Sequence, residues 1–167
     1  MGGAVTVPGN VTPFAEANIL GDTPAAKAVL ASRFQITLVG LDVTLRTLLT
    51  RSETRQIRSW GTPQAIQIAD MIEYYFRAYQ GKMTGIAGCP LHDPLAVGIA
   101  VDRSLATVLP LCLTVDTEGP SIGRTVGDVE RLAEPQPNVQ VCIGVDGGRY
   151  VDSFMEVLKS LVGGQEN

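Results

Sequence analysis

Histidine is nearly missing from this sequence: His92 is the only one among 167 residues. A single imidazole excludes multi-histidine metal sites and leaves at most one conventional imidazole acid or base. Cysteine is scarce too. Cys89, Cys112 and Cys142 are widely separated, form no C-x-x-C pair and sit among apolar residues, as buried reduced thiols do. No uncharged apolar run approaches the roughly 20 residues that span a bilayer. Basic residues are not in excess either: 13 against 17 acidic give a net charge of -4, which argues against a nucleic-acid or anionic-membrane partner. Internal repeats, low-complexity segments, a G-x-S-x-G elbow, a P-loop and a Rossmann glycine fingerprint are all absent. Met1-Gly2 with Thr6 superficially matches a myristoylation pattern, but no polybasic stretch or neighbouring cysteine supplies a second anchor. The start also lacks the positive charge and continuous apolar core of a secretory signal. A cytoplasmic protein is expected.

What is present is an alternation of helices and apolar strands. Met1–Val7 reads as the tail of a core strand running into a loop. Asp22-Thr23-Pro24 reads as an N-cap with proline in the first helical turn. Gln35–Leu41 suits a buried strand, and Thr44–Trp60, with Arg46, Arg51, Arg55 and Arg58, one or two amphipathic helices. Thr62-Pro63 opens a longer helix whose apolar face is expected at Ile68, Ile72, Tyr75 and Tyr79. Gly81, Gly85, Gly88 and Pro90 predict a loop, after which Asp93 and Pro94 look like the cap and first position of a helix. Ala106–Val115 and Val139–Val145 are strand-like, with Pro110 demanding an edge or a bulge. Asp116-Thr117-Glu118-Gly119 and Gly144–Gly148 read as turns. Tyr150–Val162 predicts a closing helix with Phe154, Val157, Leu158 and Leu161 inward. The pattern is that of an α/β layered fold with a mostly parallel sheet flanked by helices, with its chemistry in loops at the strand carboxyl ends.

Two polar clusters stand out. Asn10, Glu16 and Asn18 interrupt a segment of small or apolar residues, and burying such groups costs several kcal/mol unless each finds a partner. On an extended backbone Glu16 and Asn18 point to one side, where amides and a carboxylate suit a polyhydroxylated ligand such as a sugar. Local turn and cap chemistry by Asn10 and Asn18 explains the same spacing. The second cluster is His92-Asp93 after a glycine-rich loop, placed to protonate a ligand, or else a loop histidine beside a plain N-cap.

Gly9-Asn10-Val11-Thr12-Pro13, Ala15-Glu16, Asn18 and Leu91-His92-Asp93-Pro94-Leu95-Ala96-Val97 together resemble the nucleoside hydrolase family, the inosine–uridine preferring nucleoside N-ribohydrolases. The likeness continues through Thr23–Ala26, Leu41–Thr44, Gly123–Val126, Pro137–Val139 and Val145-Asp146 to Phe154, which is nearly the whole chain. It implies calcium-dependent hydrolysis of ribonucleosides to ribose and free base. It also implies ribose contacts by Asn10, Glu16 and Asn18, and an Asp93 carboxylate shared between calcium and the sugar. His92 matches a residue that assists departure of the base, and Tyr75 and Tyr79 lie where some members carry base-facing aromatics.

The family's amino-terminal aspartate cluster, D-x-D-x-x-x-D-D, has no counterpart among the nine aspartates here. Asp93 alone cannot hold Ca2+, which prefers 6–8 oxygen ligands. The chain therefore reads as a single partial domain, the carboxyl-terminal half of the fold. It is expected to be inactive alone and to be completed by an amino-terminal segment or partner chain. The alternatives are a non-catalytic remnant, or a homo-oligomeric binding module covering an exposed sheet edge.

Overall fold

A computed structural model describes residues 1–80, 86–134 and 136–164. In chain order the elements are α1 (Ala17–Gly21), α2 (Thr23–Leu30), β1 (Ile36–Leu38), α3 (Leu41–Thr44), β2 (Leu48–Leu49), α4 (Arg51–Ser59) and α5 (Pro63–Gln80). There follow β3 (Cys89–Pro90), α6 (His92–Val101), β4 (Ala106–Leu111), β5 (Leu113–Val115), β6 (Thr125–Gly127), β7 (Val139–Val145) and α7 (Gly147–Val162). Two compact units result: Met1–Thr44 with His92–Val145, and Leu45–Leu91 with Asp146–Asn167. Among the described residues no helix is long and apolar enough to cross a membrane.

The first unit is built on a three-stranded sheet in the order β1-β7-β4. The α/β class holds. Parallel pairing in this sheet is confined to β1 with β7, in register Ile36 to Val139, while β4 joins antiparallel at the edge. Pro110 falls on that edge strand, where its missing N–H costs no ladder bond, and the register shifts at Thr107/Val108 instead. The strand expected over Ala106–Val115 is divided: β4 ends at Leu111 and β5 leaves to pair with β6. The turn between β5 and β6 carries Gly119 at φ 75° and a Ser121 hydroxyl donating to Asp116 at 2.8 Å. The core brings together Ile19, Leu30, Leu38, Leu113, Val115, Val139 and Val141. Asp22 caps α2 as its sequence demands, accepting from Ala25 N at 2.9 Å.

The second unit pairs β2 with β3 and packs α4 against α5. The Thr44–Trp60 stretch is therefore not purely helical, because Leu48-Leu49 breaks it as a short strand. Thr50 and Glu53 then open α4 with a reciprocal capping box. Arg58 lies 2.8 Å from Asp70 and 3.3 Å from Glu73, so part of the arginine face is paired rather than only solvated. On α5 the buried positions are Ala65, Ala69 and Phe76, a face turned from the expected one, and Tyr75 is exposed. The alanines let a neighbouring backbone approach closely, which larger residues would prevent. On α7 the same happens: Tyr150 and Met155 are buried, whereas Val157 and Leu161 are 59% and 74% exposed. Gly81 and Gly85 of the expected loop lie outside the described residues.

All three cysteines are free and buried, as their apolar neighbours in the sequence require. Burial pushes the Cys89 thiol up to about 11 and raises Cys142 as well. Both are thus protonated at neutral pH, and only a thiolate attacks. A maleimide added to the folded chain is expected to leave Cys89 and Cys142 unmodified, and to label all three after denaturation. Rapid labelling of Cys89 in the native state would contradict this.

Candidate active site

The amino-terminal segment belongs to the first unit and forms no regular strand, although Gly2, Gly3 and Ala4 are buried. Gly2 N donates to Val39 O and Gly3 O accepts from Leu41 N, and the segment's other amides are satisfied by side chains. Gly3 N donates to Glu16 Oε2 at 3.0 Å, and Ala4 both donates to and accepts from the Thr125 hydroxyl at 3.0 Å. Val5 N and Thr6 N donate to Asp42 at 3.0 and 2.6 Å, and the Thr6 hydroxyl does so at 2.6 Å. Glu16, Asp42 and Thr125 are all buried.

The Gly9–Ala15 stretch closes on itself. Gly9 N donates to Pro13 O and Val11 N to Ala15 O, while Thr12 Oγ1 accepts from Phe14 N and Ala15 N. Any Cβ on Gly9 would fall 2.1 Å from Ala15 O, so only glycine fits. The loop feeds α1, whose first amides are fully partnered. Ala17 N donates to Asn10 Oδ1 at 3.1 Å, Asn18 N to Glu16 Oε1 at 2.9 Å and Ile19 N to Glu16 Oε2 at 3.2 Å. The orphan donors of a helix start are thereby used up within the chain. Glu16 is the N-cap and Asn18 the second residue of α1, so these residues do not alternate on an extended strand. The capping role expected of Asn18 falls to Glu16, while Asn10, in the turn after Gly9, accepts from Ala17 N. The Asn18 side chain itself is exposed, with Nδ2 3.4 Å from Met1 O.

His92 is the first residue of α6 and Asp93 the second, so Asp93 lies inside the first turn rather than capping it. The imidazole is half-buried, its Nδ1 2.8 Å from the hydroxyl of Thr44, which is wholly buried at the end of α3. Thr44 beside the ring, and Asp42 beneath the amino-terminal segment, were not singled out by residue type alone; their signal was polar side chains amid the apolar Leu41-Asp42-Val43-Thr44. Burial holds the His92 imidazole below its ordinary value of 6.5, against the opposite pull of the Asp93 and Glu16 carboxylates. The ring is therefore neutral at pH 7. Because the folded value is lowered, its contribution to stability is present above about pH 6.5 and is lost as pH falls through that lowered value. Thr44→Val is expected to change the ring tautomer, read from the 15N shifts of the single histidine, and Thr44→Ser to preserve it. Identical spectra for the valine variant would show that the hydroxyl does not hold the ring.

Glu16, Asn18, His92 and Asp93 thus all belong to the first unit, as does Asn10, whose side chain accepts from Ala17 N at the start of α1. Tyr75 and Tyr79 are on α5 of the second unit, their ring centroids 5.1 Å apart. Calcium needs more oxygen than this gathering offers. No cluster of three or more His, Cys, Asp or Glu able to hold a metal exists among the described residues, and both Glu16 oxygens are engaged by backbone amides. Asp93 alone does not make a calcium site.

The family model for inosine-uridine preferring nucleoside hydrolases matches residues 1–152. The pyrimidine-specific ribonucleoside hydrolase RihA of Salmonella newport is 34% identical over 160 residues, which are 95% of this chain and 51% of that protein. The solved purine-preferring ribonucleoside hydrolase from Gardnerella vaginalis superposes with a TM-score of 0.92 at 48% identity, over 96% of this chain and 51% of that one. An inosine-uridine preferring nucleoside hydrolase from Bacillus anthracis gives 0.67 at 27% identity, over 97% and 50%. The chain spans about half the length of the relatives it matches. It belongs to the inosine-uridine preferring nucleoside hydrolase family.

Proposed function

We propose that this chain carries the ribose-facing part of a nucleoside N-ribohydrolase, which cleaves ribonucleosides to ribose and free base once the rest of the family domain is supplied. One observation carries the reading: a division of labour among the polar groups. Glu16, Asp42, Thr44 and Thr125 are buried and engaged in holding the backbone or the His92 ring. Asn18 and Asp93 are exposed beside them. A core does not need those two; a sugar does.

The reaction breaks the bond between C1′ and the base nitrogen, delivering hydroxide to C1′ and a proton to the base. Asn18, and Asn10 through its Nδ2, would donate hydrogen bonds to ribose oxygens. Asp93 would accept from a ribose hydroxyl. Glu16, with three backbone amides on it, keeps about one of a carboxylate's four acceptor positions for the sugar. Neutral His92 would offer an N–H to the departing base, polarising it without carrying full charge. Polar groups fixed this way favour the cation-like transition state over the ground state. Tyr75 and Tyr79 are proposed as base-facing aromatics. Calcium is the proposed cofactor, with Asp93 one ligand and the others, together with the base that deprotonates water, outside this chain. The cytoplasm is the proposed location.

A second reading, that of a sugar-binding chain without turnover, is favoured for the chain alone because the described residues hold no group of three His, Cys, Asp or Glu able to bind a metal. Purified chain incubated with inosine or uridine and calcium is expected to release no ribose above the chelator control. Calcium-dependent release by the chain alone would overturn the claim that its site is partial. Failure of a fully reconstituted domain to cleave either nucleoside would overturn the hydrolase reading.

A further inference from the structure

Helix α3 is a single turn, and all four of its residues are buried. A turn that short does not stand alone, because it fixes more backbone than its hydrogen bonds repay. It is held from outside. Val43 N and Thr44 N donate to Gly40 O at 3.2 and 3.1 Å, and Leu41 N donates to Gly3 O at 2.9 Å. A Cβ on Gly40 would fall 2.8 Å from Asp42 Oδ2 and 2.9 Å from Gly3 O, so the amino-terminal segment lies directly against this turn. Residues two apart on a helix lie about 200° apart around its axis, so Asp42 and Thr44 reach in opposite directions. The Asp42 carboxylate accepts from Val5 N and Thr6 N, while the Thr44 hydroxyl meets His92 Nδ1, 48 residues further along the chain. Between Thr6 and the closed Gly9–Ala15 loop stand only Val7 and Pro8, and proline fixes its own φ. Displacing Thr6 therefore displaces the loop that carries Asn10.

We propose that α3 is the common mount of the two halves of the candidate site: through Asp42 it sets the segment leading to Asn10, and through Thr44 it sets His92. Asp42 and Thr44 are then positioning residues, acting through Thr6 and His92 rather than on the nucleoside. The inference rests on the proposed function for what the loop and the ring meet, whereas the link between them needs no nucleoside. A close-packed interior transmits a displacement instead of absorbing it, so a shift at one end of α3 is felt at the other. Such a mount suits bond cleavage. The ribose and the departing base must be held in one geometry, and two separately anchored supports would drift independently.

Amide hydrogen exchange in the full chain tests the link. Thr44→Val keeps the shape of the side chain and removes the hydroxyl, so it acts first on His92 and not on the amino-terminal segment. It is expected to speed exchange at Val5 and Thr6 about threefold or more, the scale of coupling between residues that share a support. Thr44→Ser should restore the wild-type rates. In an Asp42→Asn background, where the link is already cut, Thr44→Val should add nothing at those two amides. Ala26 on α2, whose amide donates to Asp22 O at 3.0 Å, reports general loosening and should not change. Exchange at Val5 and Thr6 that ignores Thr44→Val overturns the proposal. So does an equal effect at Ala26, or an effect that persists undiminished in the Asp42→Asn background. Should Asp42→Asn fail to fold, the contrast between valine and serine at position 44 still decides. In the reconstituted domain, Thr44→Val should raise KM for inosine and uridine as well as lower kcat, and a fall in kcat alone would count against a shared mount. Linked exchange in a domain that cleaves neither nucleoside sustains the mount and refutes the hydrolase reading. Unlinked exchange in an active domain refutes the mount alone.

Discussion

In the reconstituted domain, Asp93→Ala lowers kcat by about 10³-fold, the scale seen when one preorganised electrostatic partner of a transition state is removed. The exposed carboxylate in the first turn of α6 interacts only with the helix dipole and the neighbouring His92 ring, on the scale of about 0.3–1 kcal/mol, so the folded chain should keep most of its stability. The effect then falls mainly on rate. Asn18→Ala, which would remove the donor proposed for a ribose hydroxyl already bound in the ground state, should act differently and raise KM more than it lowers kcat. Steady-state kinetics on inosine and uridine separate the two. If Asp93→Ala retained more than about a tenth of wild-type kcat, its place in the reaction would be withdrawn.

Glu16→Ala is the largest expected loss of stability. The carboxylate is 2% exposed and accepts from Gly3 N, Asn18 N and Ile19 N at 3.0, 2.9 and 3.2 Å. Alanine orphans three buried or half-buried amides and removes the cap of α1 in one step. Hydrogen bonds to a charged group are worth about 1.5–3 kcal/mol each, and stranded donors add to the cost. A loss of about 3–5 kcal/mol follows, against a total of roughly 5–15 for a domain. Urea unfolding measures it. Glu16→Gln, which keeps one acceptor oxygen, should fall between wild type and alanine. A loss below about 1 kcal/mol for alanine would mean that the cap is dispensable.

Local chemistry made much of the fold legible. Asp22 before Thr23-Pro24 starts α2, and the β7 run, apolar but for Gln140, ends where Asp146 caps α7. Pro110 announced an edge strand without naming its partner. The misses have a common cause. Glutamate is a poor N-cap by preference, so Glu16-Ala17-Asn18 read as alternation rather than as a helix start. Helix α5 buries small residues, and a periodicity weighted by side-chain size selected the wrong face. Of the candidate site, motif likeness pointed to His92 and Asp93, but nothing local could show that Thr44, 48 residues earlier, would hold the ring.

The peg between Ala4 and Thr125 has a consequence for biosynthesis. The two residues are 121 positions apart, yet each satisfies the other's buried polar groups. At 5–20 residues per second, Ala4 is made roughly 6–24 s before its partner. Throughout that interval the Ala4 amide and carbonyl lack their buried partner, although Gly3, Val5 and Thr6 can already reach Glu16 and Asp42. The amino-terminal segment therefore reaches its final order only once β6 has been made.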